Sequence, residues 1–167
     1  MTAITEEYLA ALKANVIGDM DTLARLRELL EERDGAQSGE IYGALYSVAL
    51  ATAAQRAFPG GHTSATRADV IRFVARLRGA FAGTDEDFSP RVAEHVLISM
   101  LGGPEDIETL DKQDLAVVII MLIGGLLAYL GIEKSGIDDF ISEVRPLAEA
   151  WYGRQADERG AGRASDG

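Results

Sequence analysis

Apolar positions recur at intervals of three and four residues along most of the chain, which is the period of helices with one buried face. After Thr5, Glu6 and Glu7, a hydroxyl and two carboxylates suited to a helix start, Tyr8, Leu9, Leu12 and Val16 share a face. Gly18 ends that run, Asp19 or Asp21 caps the next, and Leu23, Leu26 and Leu30 continue it, so residues 5–33 read as a helical hairpin. The polar stretch ERDGAQSGE is a connection. From Ile41 to Gln55 no charged side chain occurs and small residues dominate, so 40–58 reads as a buried helix stopped by Pro59, Gly60 and Gly61.

Thr66 and Asp69 have capping-box spacing and predict a helix from Arg67 to Phe81, with Val70, Phe73, Val74 and Leu77 inward. The acidic run Asp85 to Asp87 precedes a further start, where Ser89 is the cap and Pro90 the first helical residue. Val92, Val96, Leu97, Met100 and Leu101 form the core face of that helix, and Gly102, Gly103 and Pro104 end it. Asp111 and Asp114, as N-cap and N3 residues, open the next helix, and Gly131 with Ile132 closes it in a Schellman turn. From Ser135 the positions Ile137, Phe140, Ile141, Val144, Leu147, Ala148 and Trp151 mark the last helix. Pro146 interrupts that pattern and is expected to bend or split the helix near Arg145. The polar tail after Gly153 reads as disordered.

These elements predict an all-α fold: one domain over residues 1–153, a helical bundle of about six or seven helices around the hydrophobic helix at 111–131, and a disordered tail at 154–167. The segment Leu115 to Ile132 is uncharged and, as a helix, about 27 Å long, against a bilayer core of about 30 Å. Membrane anchoring through 115–132 is therefore the alternative to a core helix. Its caps, its glycine pair Gly124 and Gly125, and the several other helices with an apolar stripe to cover favour the core.

Composition narrows function by exclusion. The 167 residues carry a net charge of −11, from 27 acidic and 16 basic side chains, which repels nucleic acid and anionic lipid on average. There is no cysteine, so disulfides, thiolate metal sites and cysteine nucleophiles are absent. The N-terminal stretch lacks the basic and apolar regions of a signal peptide, and a cytoplasmic location is expected.

The loop PGGHTSAT does not match a P-loop, since no Lys-Ser or Lys-Thr follows the glycines. Arg67, Arg72, Arg76 and Arg78 are candidate nucleic-acid contacts, weighed against a solvated face on which Asp69 offsets Arg72. Asp138, Asp139 and Glu143 are the candidate metal ligands. Over six residues they resemble the aspartate-rich magnesium motif of helical terpenoid synthases, although no second metal motif follows. His62 and His95 lie far apart, and no HExxH or Glu-x-x-His pair exists. No nucleophile–base pattern, cofactor fingerprint or metal set emerges. The expectation is a non-enzymatic interaction or regulatory module with a protein partner or a second copy of itself, the alternative being a helical enzyme or small-ligand protein with a pocket among the apolar helices.

Overall fold

A computed structural model describes residues 3–81 and 88–164. The acidic run Asp85–Asp87 and residues 165–167 lie outside the described residues. Among those described there are seven α-helices, one 3₁₀ turn and no strand, the all-α fold that the apolar spacing predicts. Their contacts group into two compact units, Met1–Ala49 with Lys134–Gly167, and Leu50–Glu133.

The first unit contains α1 (Glu6–Ile17), α2 (Met20–Asp34), the start of α3 (Gln37–Ala57) and α7 (Lys134–Ala164). Gly18 adopts φ 78°, which closes α1 while the Asp19 amide donates to the Ala14 carbonyl. The Asp19 side chain then caps α2 by accepting from the Thr22 amide. Thr5 makes no cap hydrogen bond with its side chain, which instead accepts from Arg33.

The expected connection ERDGAQSGE is mostly helical, leaving only Gly35 and Ala36 between α2 and α3. Gly35 turns the chain at φ 57°, and the Ser38 hydroxyl donates to its carbonyl at 2.8 Å. A left-handed glycine thus does in two residues what the polar stretch was read as doing in nine.

Pro146 does not split α7, contrary to one of the two expectations. Val144 and Ala148, on either side of it, are fully buried, so packing on both sides holds the helix through the missing hydrogen bond. Nor does α7 end at Gly153. It runs to Ala164, where Gln37 donates to the Tyr152 hydroxyl at 2.9 Å and Arg159 pairs with Glu40 at 2.6 Å.

The second unit holds the end of α3, α4 (Ser64–Ala80), α5 (Pro90–Met100), the 3₁₀ turn Ile107–Thr109 and α6 (Lys112–Tyr129). The α4 cap lies one turn earlier than the capping-box reading places it. Thr63 accepts from the Thr66 amide at 3.1 Å, and Thr66 itself is buried. Ser89 and Pro90 open α5 as expected. Asp111 caps α6 through the amides of Gln113 and Asp114. At its other end Ile132 donates to Leu127 and Gly131 to Ala128, the two hydrogen bonds of a Schellman turn.

An aromatic cluster of Phe58, Phe73 and Tyr129 joins the residue after α3 to α4 and α6, with ring centroids 5.4–6.0 Å apart. Gly125 lets α6 approach α4: a Cβ there would lie 2.7 Å from Leu77 Cδ1. The enclosure of α6 is one-sided, however. Six of its eighteen residues are buried, namely Val118, Met121, Leu122, Ile123, Leu126 and Leu127.

Candidate functional site

Helical spacing places Gln113, Val117, Ile120, Gly124 and Ala128 on the side of α6 that its neighbours leave open. Val117 is 39% exposed, Gln113 and Ala128 are exposed, and Ile120 and Gly124 are half-buried. The two adjacent glycines have opposite surroundings. Gly125 is pressed against α4, whereas a Cβ at Gly124 would meet nothing within 4 Å.

Carboxylates stand at the N-terminal end of this stripe. Asp106 caps the 3₁₀ turn at Glu108, and Asp111 caps α6. Glu108 and Asp114 are exposed and make no ion pair among the described residues.

The four arginines of α4 do not form one surface. Arg67 pairs with Glu105 and Arg72 with Asp69, the second being the i,i+3 offset read from the sequence. Arg76 is exposed on the outward face near Arg72, while Arg78 lies toward the edge of the buried stripe. Comparisons with family models, curated proteins and solved structures return no match.

Of the metal candidates, Asp138, Asp139 and Glu143 are all exposed on α7. Asp138 pairs with Lys13 at 2.7 Å, and among the described residues no three His, Asp or Glu side chains are grouped to hold a metal ion. Lys13 and Asp138 lie on the wall of an open groove of about 490 Å³ between α1 and α7, with Leu9 and Ile141 also lining it. Its second cation, Arg145, pairs with Glu6 and with Glu149 at 3.1 Å, so the groove's charges are matched from within. His95 bonds to the Asp106 carbonyl at 2.9 Å through Nε2, a contact that ties α5 to the connector. His62 is exposed in the loop before α4.

A polar cluster in the first unit went unread in the sequence. Tyr8 donates to Asp34 at 2.7 Å, and buried Asn15 donates to the Tyr46 hydroxyl at 3.0 Å. Tyr42 packs edge-on against Tyr8, with centroids 5.1 Å apart, and its hydroxyl is buried with no hydrogen-bond partner among the described residues. Burial, reinforced by nearby Tyr46, pushes the Tyr42 phenol up to about 12. Hydrogen bonds from Arg33 and Tyr8 hold Asp34 below the usual carboxylate range. The available signal was Asn15 on an otherwise apolar helix face, but its partner is 31 positions away.

Proposed function

We propose that the chain is a helical protein-interaction module that docks its partner on the open stripe of α6. The observation that supports this reading is that the most apolar helix of the chain leaves Val117, Ile120, Gly124 and Ala128 uncovered or half-covered among the described residues. Exposed apolar strips of this kind cost solubility and are characteristic of surfaces that other molecules cover. The test is Ile120→Asp, which places a charge at a half-buried position in the middle of the stripe. A partner retained by the wild type and released by the variant, with helicity and thermal midpoint unchanged, supports the reading; equal retention by both overturns it.

One observation favours a second reading, a membrane contact through 115–132. Lys112–Tyr129 is long and apolar enough to cross a bilayer, and a third of it is buried within the protein. Sedimentation separates the two readings. The interaction module stays in the supernatant after ultracentrifugation without detergent, whereas a membrane protein is recovered with the lipid.

A further inference from the structure

We infer that the occupant of the α6 stripe is a second copy of this chain, whose α4 supplies the complementary surface. This inference rests on the docking reading of α6. The complement is electrostatic and lies within the same unit. On α4, Arg72 and Arg76 share the outward face, Arg72 with Asp69 beside it, while at the start of α6 Glu108 and Asp114 are exposed and make no ion pair among the described residues.

The outward face of α4 is built for close approach. Ala68, Ala75 and Gly79 are exposed there beside Arg72 and Arg76, so the backbone is accessible and the arginine stems can lie along apolar surface. The chain already makes this pairing once internally, where Arg67 of α4 meets Glu105 of the connector. The net charge of −11 opposes random approach of two copies, which selects the orientation that brings the arginine face against the carboxylates.

Area bears on the arrangement. A stable association buries about 800 Å² on each partner. A strip about 27 Å long and roughly 10 Å wide on α6 alone falls short of that. If each copy presents both helices, α4 to the partner's α6 and α6 to the partner's α4, the contact is doubled to roughly 540 Å² per copy, the size of a weak association, and closes with two-fold symmetry.

The experiment is sedimentation velocity at concentrations up to about 100 µM, with circular dichroism on every variant. The wild type is expected at twice the monomer mass, and Ile120→Asp at the monomer mass. Arg72→Glu with Arg76→Glu, and separately Glu108→Lys with Asp114→Lys, are each expected to be monomeric, and mixing the two charge-reversed proteins to restore the dimer. A monomeric wild type, a dimer that survives Ile120→Asp, or folded charge-reversed proteins that fail to associate on mixing would each overturn the inference. A monomeric wild type, or charge-reversed proteins that fail to associate, bears on the second copy alone, whereas an association of either kind that survives Ile120→Asp also overturns the docking reading.

Discussion

The Tyr8 hydroxyl donates to Asp34 at 2.7 Å, fastening the first turn of α1 to the last residue of α2. Arg33 adds hydrogen bonds to the same carboxylate, so one acidic side chain closes the helical hairpin at its open end. Tyr8→Phe removes one charge-assisted hydrogen bond from a fully buried ring and should cost about 1–3 kcal/mol in urea unfolding. Asp34→Asn should cost less, because the amide still accepts from Tyr8.

Asp34 also sets an acid dependence. Its folded pKa is lowered from the ordinary 3.8, so the stabilisation is present above that value and is lost as pH falls through the lower folded pKa. Acid unfolding monitored by circular dichroism should therefore show a shallower loss of stability below pH 4 in Asp34→Asn than in the wild type.

On the alkaline side burial raises the phenols of Tyr8, Tyr46 and Tyr42, and among the described residues Tyr42 is the one whose hydroxyl has no hydrogen-bond partner. Its folded pKa of about 12 exceeds the ordinary 10.0, so its contribution is intact below pH 10 and is lost as pH rises toward 12. Unfolding midpoints should fall across that interval, and less so in Tyr42→Phe. That variant also removes a buried hydroxyl without a partner and should be at least as stable as the wild type at neutral pH.

The paired glycines of α6 should respond oppositely to alanine. Gly124→Ala gains helix propensity in open space and should stabilise by up to about 1 kcal/mol. At Gly125 the new methyl displaces Leu77 and approaches Phe73, so the same gain is offset by overpacking, and the variant should lie about 1–3 kcal/mol below Gly124→Ala in thermal unfolding.

Gly103→Ala should be the most damaging of the glycine substitutions considered. Its Cβ would lie 2.9 Å from the Ile98 carbonyl oxygen, which is backbone and cannot rotate away, and 2.8 Å from Glu105 Oε2. A loss of about 1–3 kcal/mol is expected, measured by chemical unfolding.

Much of the fold was legible because its determinants are local. Gly18, Asp19, Ser89, Pro90, Asp111 and Gly131 act within one helical turn, and each ends or starts a helix where its chemistry requires. Apolar spacing likewise assigned the inward faces of α4 and α5, with Val70, Phe73, Val74, Val96 and Leu97 buried. The two misplaced boundaries of α7 share one cause. Pro146 and Gly153 are unfavourable locally, and α7 passes both because side chains far along the chain hold it, among them Gln37 against Tyr152 and Glu40 against Arg159.

The candidate site divides along the same line. That 115–132 is an apolar helix with its own caps was determined by the sequence alone, since hydropathy and capping depend only on neighbours. Which side of that helix stays open was decided by the tertiary structure, through the approach of α4 at Gly125 and the empty space beside Gly124. Two identical residues, adjacent in the chain, differ only in what the fold brings against them, and no local property of the sequence carries that information.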